Sequence, residues 1–286
     1  MTNMQIRKIR YIRNETIFHL VVLAIGVLML YPLLWMFSAS LKPTSEIFEQ
    51  TLSLIPKTLS LENYIVGWQF NRTTTFTTFY WNSLQITILS TLGAVIMSSM
   101  VAYGFSRIRF KGRNFWYSCM LMTLMLPFQV IMVPQYVLFH RMGWVNTFLP
   151  LIVPQWGGQA FFIFMMVQFF RGIPMELDES AMIDGCNKFT IYSYILFPLI
   201  KPALMTSAIF SFYWRWEDFL GPLLYLTRTR NFTVSLAVRL FADPTGEVNW
   251  GAIFAMGTLS LIPSLLIFFF FQKYIVEGIS TTGLKS

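Results

Sequence analysis

Charged side chains are scarce in this sequence. Asp, Glu, Lys and Arg make up 12% of the 286 residues, whereas soluble domains carry about 25%. Apolar residues make up 55% of the chain and aromatic residues 17%. A soluble fold of this length would lack the polar surface that it needs to face water. We therefore expect an integral membrane protein, with one polytopic domain over residues 1–286.

Six apolar segments are long enough to cross the roughly 30 Å hydrocarbon core as helices. The sequence therefore predicts an all-α membrane fold with six transmembrane helices. The first segment has a basic start and small residues at 38–40, which are also features of a secretory signal. Its apolar run is longer than the roughly 7–15 residues of a signal core, and five segments follow, so we expect an uncleaved helix. The six segments lie at 17–38, 83–104, 115–134, 149–170, 201–222 and 252–274.

Lys and Arg are distributed unevenly between the two sides of this predicted fold. With the N-terminus inside, the inner loops and termini hold 13 of the 21 Lys and Arg residues, the outer loops hold 7, and Arg215 falls within a segment. Positive residues accumulate on the cytoplasmic side of membrane proteins. We therefore expect both termini to be cytoplasmic and the segments 39–82 and 223–251 to be extracytoplasmic. Because the basic residues are scattered among short loops, we expect no nucleic-acid partner.

Residues that carry catalysis and metal binding are few. The two histidines, His19 and His140, fall on opposite sides of the predicted membrane and cannot share a metal. Cys119 lies in a predicted span and Cys186 in a cytoplasmic loop, which argues against a disulfide framework. The sequence has no phosphate-binding G-x-x-x-x-G-K-[ST] loop, so the chain cannot bind and split ATP by that route. We expect no metal and no cofactor in this chain.

An acidic stretch, MELDESAMIDGCNKFTIYSYILFP at residues 175–198, separates two of the apolar segments. Its carboxylates Glu176, Asp178 and Glu179 suit a first helical turn, where the helix dipole favours negative charge. Gly185 is placed to end that helix. A second amphipathic stretch follows at spacings of three and four residues. The sequence predicts a helix, a glycine turn and a second helix along the cytoplasmic face; the apolar positions of the second are Phe189, Tyr192, Leu196 and Leu199.

The residue types in this stretch fit a solvated connector between two spans equally well, and it is the spacing that favours a function. Glu179-Ser180-Ala181 is followed after three residues by Gly185, then after nine residues by Ile195, and after one more by Phe197-Pro198. This pattern resembles the cytoplasmic loop of binding-protein-dependent ABC importer permeases. Ser180 and Phe197 depart from the family's Ala and Leu, and both departures are tolerable in size.

The resemblance extends along essentially the whole chain. Within that family, the sequence is most similar to the carbohydrate-uptake branch. The stretches YPLLWMFSASLKPTSEIF, LENYIVGW, VAYGFSRIRFKGR, WRWEDFLGPL and VEGISTTGLKS carry it. It implies a multi-pass permease of a prokaryotic cytoplasmic membrane. Its partners would be a second homologous permease, two cytoplasmic ABC ATPases that hold ATP and Mg, and an extracellular solute-binding protein.

In that family the cytoplasmic loop forms a coupling helix that docks into a cleft of the ATPase. The resemblance therefore implies an ATPase-coupling loop at about 175–200. Closure of the two ATPases would pull on two such helices and turn the membrane cavity from inward-facing to outward-facing. The residues implied in coupling are Glu179, Ser180, Ala181, Asp184, Gly185, Ile195 and Pro198.

The stretch FYWRWEDF is also exceptional, because charges within a spanning segment are costly and usually functional. Arg215 and Asp218 are three residues apart and could pair on one helical face. Trp216, Glu217 and Asp218 suit a polar substrate path, since aromatic faces stack on sugars and carboxylates accept their hydroxyls. An interfacial aromatic anchor explains the same residues equally well. Breaks that could open a cavity are permitted at Pro127, Pro134, Gly257 and Pro263.

The first hypothesis is therefore a permease subunit that imports a sugar or oligosaccharide and is not itself an enzyme. The same architecture could import another polar solute, such as glycerol phosphate or an anionic saccharide, and Arg215 keeps that alternative open. A membrane enzyme of lipid or glycan chemistry would need clustered polar groups, and only Glu217 and Asp218 come near that. A carrier that works without an ATPase is disfavoured by the ATPase-docking pattern.

Overall fold

The computed structural model describes residues 3–49, 53–70, 74–242 and 248–283, and every regular element in these ranges is a helix. The all-α prediction is confirmed to that extent. Two short 3₁₀ turns (Val153–Gly157 and Thr229–Asn231) and a π-helix (Ile191–Leu196) accompany the α-helices. In chain order these are α1 (Asn3–Ser40), α2 (Thr44–Glu49), α3 (Glu62–Trp68), α4 (Phe76–Arg107), α5 (Arg113–Thr123), α6 (Phe128–Arg141), α7 (Leu149–Ile152), α8 (Ala160–Arg171), α9 (Glu176–Ile183), α10 (Lys188–Thr190), α11 (Phe197–Leu199), α12 (Lys201–Trp216), α13 (Leu220–Tyr225), α14 (Val234–Leu240) and α15 (Trp250–Gly283).

Four stretches of helix in the described ranges are long and apolar enough to cross a membrane, and two bent pairs raise the number to six if each pair is one span. The four are Glu15–Ser40, Phe76–Arg107, Leu149–Arg171 and Trp250–Tyr274. They correspond to four of the six predicted segments, and the helices extend beyond the predicted ends. The remaining two segments differ from the prediction in shape.

The predicted span 115–134 is broken. Helices α5 and α6 meet at an angle of 98°, and Pro127 precedes α6 in an extended conformation. Proline has no N–H for an intrahelical hydrogen bond and its ring crowds the preceding turn, so the chain bends there. Pro134 and Pro263, by contrast, lie inside α6 and α15, which continue through them.

The predicted span 201–222 ends earlier and begins with a bend. Helix α12 stops at Trp216, and its axis is turned by 76° from the helical stretch Lys188–Leu199. Ile200 leaves the helical region between them, with φ −89° and ψ 11°. Pro202 cannot donate a backbone hydrogen bond to the preceding turn, which accounts for the break at this position.

The described residues divide into two compact units: those of 1–72 with 238–259, and those of 73–237 with 260–283. In the first unit, the Asn63 amide donates to the carbonyl oxygens of Ser40 and Lys42, at 3.0 and 2.7 Å. The buried Lys42 ammonium donates to the Ser53 carbonyl at 2.6 Å. These bonds order the chain after α1. Parts of the predicted extracytoplasmic segments, residues 50–52, 71–73 and 243–247, lie outside the described residues.

The second unit is built on α4, which packs against α8 and α12. The side of α4 that is buried carries mainly small and weakly polar residues, which allow helix backbones in a membrane to approach closely. Two of them bond across the interface: the Ser90 hydroxyl donates to the Leu151 carbonyl, and the Ser98 hydroxyl accepts from the Gln159 N–H. The small buried residues of α4 are Ser83, Thr87, Ser90, Gly93, Ala94, Ser98, Ser99 and Ala102.

Gly93 gives the first prediction. A Cβ at this position would overlap the Trp156 ring, whereas a Cβ at Gly104, in the same helix, would meet nothing within 4 Å. We expect Gly93→Ala to destabilise the protein by about 1–3 kcal/mol through overpacking. The matched Gly104→Ala should be neutral or slightly stabilising. Thermal unfolding of the detergent-purified protein measures both, and equal midpoints would contradict the packing of α4 against residues 153–157.

Candidate functional site

The predicted helix, glycine turn and second helix are present at 175–199. Helix α9 carries Glu176, Asp178 and Glu179 in its first turn, as the sequence indicates. These carboxylates have different surroundings: Glu176 and Glu179 are exposed, and Asp178 is buried. The acidic tract is therefore solvated on one side and attached to the protein on the other.

Arg107, the last residue of α4, attaches the acidic helix α9 to the rest of the protein. One guanidinium nitrogen, Nη1, lies 3.5 Å from Asp178 Oδ2 and also contacts the Met175 sulfur. The other, Nη2, donates to the carbonyl oxygens of Phe170 and Ile173, at 2.9 and 2.7 Å. Because both side chains of the ion pair are almost fully buried, water screens it little. A single guanidinium thus joins the end of α4, the end of α8 and the first turn of α9, and we refer to this arrangement as the Arg107 anchor.

The Asp178 carboxyl is costly to bury. Burial raises its pKa above the ordinary value, and the Arg107 guanidinium opposes that shift without cancelling it. A group whose pKa is higher in the folded than in the unfolded state contributes stability that is fully present below its unfolded pKa. That contribution is lost as the pH rises through the folded pKa. At neutral pH the carboxylate is therefore tolerated because of Arg107.

Gly185 ends α9 in the manner that the sequence predicts. Its N–H bonds to the Met182 carbonyl at 3.1 Å, and the Cys186 N–H bonds to the Ala181 carbonyl at 2.9 Å. This is the Schellman pattern, which needs a residue with positive φ, and Gly185 has φ +85°. A Cβ at this position meets nothing within 4 Å, so no steric clash requires glycine here. The requirement for glycine is conformational, about 1–2 kcal/mol for another L-residue.

The second helical stretch is fixed to α4 by two tyrosines. The Tyr192 hydroxyl lies 2.6 Å from the Ser99 hydroxyl, and the Tyr103 hydroxyl donates to the Lys188 carbonyl at 3.0 Å. Asn187 caps the start of the stretch, since its Oδ1 accepts from the Thr190 N–H at 2.9 Å. These bonds place the stretch directly against the end of α4.

The predicted apolar face of this stretch is half right. Tyr192 and Leu196 are buried, and they join a core cluster with residues of α4, α8 and α12. Phe189 and Leu199 are exposed. The buried positions on this side of the stretch include Ile191 and Ile200 instead. A π-helix over 191–196 adds an extra residue to the turn, so the spacing of an ideal α-helix does not identify the buried face.

Some of the residues implied in coupling are buried against the protein, and others are exposed to solvent. Ala181 is buried in the core cluster, and Ile195 is half-buried against it. Those exposed to solvent are Glu179, Ser180, Asp184, Gly185 and Pro198. No geometry within the described residues tests their role, which stays a prediction.

Several large apolar side chains of the loop face outward. Ile183 is the most exposed of them, at 87%, and it lies beside Asp184 at the end of α9. Exposed apolar residues that are gathered on one short segment are typical of an interaction site. We call this set the loop surface; its apolar members are Met175, Leu177, Met182, Ile183, Phe189 and Tyr194.

The second predicted cluster lies at the end of α12. Arg215 Nη1 is 3.7 Å from Asp218 Oδ2, so the predicted pair is present. Asp218 Oδ1 accepts from the Gly221 N–H at 3.0 Å, and the Ser235 hydroxyl donates to the Asp218 carbonyl. Asp218 thereby organises the turn that follows α12.

Trp216 and Glu217 have opposite surroundings. Trp216 is only 4% exposed, stacks on Phe212, and donates from Nε1 to the Ser260 carbonyl at 2.9 Å. Glu217 is exposed, and it is the C-cap residue that follows the end of α12. Of the three residues predicted to line a substrate path, Glu217 is therefore the one that presents an uncommitted polar group. The path itself stays a prediction.

Among the described residues, no three His, Cys, Asp or Glu side chains are grouped as metal ligands. The conspicuous polar constellations are thus the Arg107 anchor and the Arg215–Asp218 pair. Sequence reasoning missed the first, because Arg107 was counted only as a topology signal. Its position at the very end of a span was the available clue.

Known proteins provide the comparison for this geometry. The family model described as "Binding-protein-dependent transport system inner membrane component" matches residues 94–281. An arabinooligosaccharides transport system permease of Halalkalibacterium halodurans is 33% identical over 263 residues, which are 91% of this chain and 93% of that protein. A trehalose/maltose transport system permease of Thermococcus litoralis is 33% identical over 279 residues, 95% of this chain and 99% of that protein.

A solved structure has the same fold. It is a bacterial ABC transporter involved in the import of the acidic polysaccharide alginate, and its matching chain aligns with a TM-score of 0.81. The alignment covers 93% of this chain and 98% of that chain, at 22% identity. At this identity the likeness supports the fold alone.

The Arg107 anchor gives the second prediction. Arg107→Met leaves the buried Asp178 carboxylate without a cation, and removal of one partner of such a pair costs about 3–5 kcal/mol. Asp178→Asn removes a group whose charge is already unfavourable, and Arg107 keeps its two carbonyl acceptors, so we expect a loss of about 1 kcal/mol or less. Thermal unfolding of the purified protein compares the two variants. Equal losses, or a larger loss for Asp178→Asn, would show that the anchor is not organised around Arg107.

Proposed function

The chain belongs to the family of binding-protein-dependent transport system inner membrane components, and we propose that it forms half of the membrane pathway of a saccharide importer. As a member, it is a multi-pass transport subunit and not a catalyst. The observation that carries the proposal is the loop at 175–199, which combines a buried attachment with an exposed apolar surface. The complete importer would contain a second permease, two ABC ATPases and a solute-binding protein.

The loop surface is the proposed docking site of an ATPase subunit. Six large apolar side chains are exposed on it, and the carboxylates of Glu176, Glu179 and Asp184 are exposed on the same loop. An interface of this composition combines apolar burial with charge complementarity to a basic cleft. ATP and Mg would be held by the ATPases, since this sequence has no phosphate-binding loop.

The attachments of the loop support a mechanical role. Arg107 connects α9 to the ends of α4 and α8, and Tyr103 and Tyr192 connect the next stretch to α4. A displacement of α9 by a closing ATPase would therefore be transmitted to α4, because the contacts between them are buried and hydrogen-bonded. We propose that α9, α4 and α8 move as one body during the transport cycle.

This role sets the orientation of the chain. The ATPases are cytoplasmic, so the loop at 175–199 and both termini would lie on the cytoplasmic side. The charge asymmetry of the loops supports the same assignment. The segments 39–82 and 223–251 would then be extracytoplasmic and available to a solute-binding protein.

A saccharide is the proposed cargo. Two of the similar permeases are described as transporting arabinooligosaccharides and trehalose or maltose. The exposed Glu217 carboxylate suits the hydroxyl groups of a neutral sugar. Arg215 is already paired with Asp218, which leaves little positive charge for an anionic solute such as glycerol phosphate. These observations favour a neutral saccharide over an anionic one.

Ile183 gives a test of ATPase docking. Ile183→Glu places a charge at the centre of the loop surface without disturbing the buried contacts, since this side chain is 87% exposed. We expect the ATPase to be lost from the purified complex and uptake to fall at least about tenfold, as for an interface residue worth about 1.4 kcal/mol or more. The matched control for ATPase retention is Ile55→Glu, at a residue that is 80% exposed in the other unit and lies in a predicted extracytoplasmic segment; this variant should keep the ATPase. Co-purification of the ATPase with Ile183→Glu at the wild-type level would refute the docking site.

Glu217 gives a test of the cargo path. If its carboxylate binds sugar hydroxyls, Glu217→Ala should reduce uptake roughly tenfold, the effect of losing one hydrogen bond to a charged group. Complex yield and basal ATP hydrolysis should stay unchanged, because Glu217 is exposed and makes no buried contact. Trp216→Phe is the comparison variant: it should lower thermal stability, since the hydrogen bond to Ser260 is lost. Normal uptake by Glu217→Ala, measured per assembled complex, would remove this residue from the path.

A further inference from the structure

The turn between α4 and α5 is strongly basic. Arg109 and Lys111 lie within it, and Arg113 begins α5. In contrast to Arg107, none of these three side chains is ion-paired within the described residues. Such a group of free cations at the end of a membrane-spanning helix attracts negative charge.

A polar pocket of about 360 Å³ lies at this turn. Arg109, Arg113 and Asn114 supply its hydrogen-bond donors. Gly112, with φ +78°, lets the chain reverse so that residues before and after it line the same pocket. Its lining residues are Arg109, Phe110, Gly112, Arg113, Asn114 and Phe115.

An apolar groove of about 570 Å³ adjoins the pocket. Phe110 lines both cavities, so the two lie next to each other at that ring. Along α5 the groove is lined by residues at positions i, i+3, i+4 and i+7, which form one face of a helix. These are Trp116, Cys119, Met120 and Thr123, and they face Val101 and Phe105 of α4.

Helix α5 is only partly covered by this chain. Tyr117 and Met120 pack against the core cluster of α4 and α8 residues. All residues of α5 are described, and none of them is fully buried. Phe115, Trp116 and Met122 are each more than half exposed, so this side of the helix is open to an apolar partner.

We propose that the pocket and groove together bind one anionic phospholipid, with its phosphate on Arg109 and Arg113 and an acyl chain along α5. A free phosphate would leave the groove empty, and an apolar protein segment would leave three cations unpaired. An amphipathic anion satisfies both cavities at once. The length of α5, roughly 16 Å at 1.5 Å per residue, matches the depth of one leaflet.

The site has a consequence for coupling, and this part rests on the proposed function. Arg107 lies two residues before Arg109, so the bound lipid would contact the segment that leads out of the Arg107 anchor. An anionic headgroup would hold that segment against the membrane surface while α9 is displaced. Transport would then depend on anionic lipid, whereas lipid binding itself would not depend on transport.

The test uses the whole importer in nanodiscs of phosphatidylcholine with or without phosphatidylglycerol. Native mass spectrometry counts the lipids that stay bound when the disc is removed. We expect the wild type to retain phosphatidylglycerol in preference to phosphatidylcholine. The triple variant Arg109→Gln, Lys111→Gln, Arg113→Gln should retain at least about tenfold less, since each cation near a membrane surface contributes roughly fivefold. The triple control Arg141→Gln, Arg228→Gln, Arg230→Gln removes the same charge elsewhere and should behave as the wild type.

A second measurement tests the groove. Phosphatidylglycerol with brominated tails should quench the fluorescence of Trp116. The contribution of Trp116 is the part of the fluorescence that is missing in the Trp116→Phe variant. Cys119→Phe, which narrows the groove, should reduce both the quenching and lipid retention, whereas Cys119→Ala should change neither.

Four results would overturn the proposal. One is equal retention of the two lipids, and another is loss of retention in the control triple variant. The third is displacement of phosphatidylglycerol by inorganic phosphate together with no quenching by brominated tails, which would indicate a phosphate site alone. Absence of Trp116 quenching in the assembled importer would likewise show that a protein partner covers the groove. None of these readouts depends on transport. Failure of the lipid proposal can therefore be distinguished from failure of the proposed function.

Discussion

The buried guanidinium of Arg107 is the contact on which the arrangement at this end of the protein depends. It donates to the backbone carbonyls of Phe170 and Ile173 at the end of α8, and it offsets the charge of Asp178. An arginine suits this position because its planar group can donate in several directions at once. A lysine could not reach the three partners together. The loop at 175–199 owes its fixed position to this one side chain and to the two tyrosines that bond the following stretch.

The same loop combines two requirements that conflict in most surface segments. In the proposed function it has to be rigid, so that a force applied to it moves the membrane helices, and it has to expose apolar groups, so that an ATPase can bind. The burial of Asp178 and Ala181 meets the first requirement. The exposure of Ile183, on the same short helix, meets the second. Small residues along α4 then allow α8 and α12 to pack closely against it, so that the loop is connected to the membrane helices through tightly packed contacts.

Local patterns in the sequence predicted much of this structure. Hydropathy identified the spans, the motif spacing identified the loop, and Gly185 marked the end of α9 because a Schellman turn needs positive φ. Pro127 could be recognised as a break, but Pro134 looked equivalent and lies in a continuous helix. The exposure of Phe189 and Leu199 was not predictable from spacing, because the π-helix at 191–196 departs from the spacing of an ideal α-helix. The Arg107–Asp178 pair joins residues that are far apart in sequence, and nothing local distinguishes Asp178 from its acidic neighbours. The roles of Glu217 and of the loop surface stay predictions.

The central claim is that α9 and α4 move as one body, and a distance measurement in the working importer tests it most directly. Spin labels would be attached at Ser180, which is exposed on α9, and at Thr77, which is exposed at the far end of α4, with both natural cysteines replaced. Helix α4 is roughly 45 Å long, within the range of pulsed electron resonance. The account predicts the same distance distribution in the nucleotide-free and ATP-bound importer, and a broader one in Arg107→Met. A wild-type distribution that shifts by more than its own width when ATP binds would contradict it.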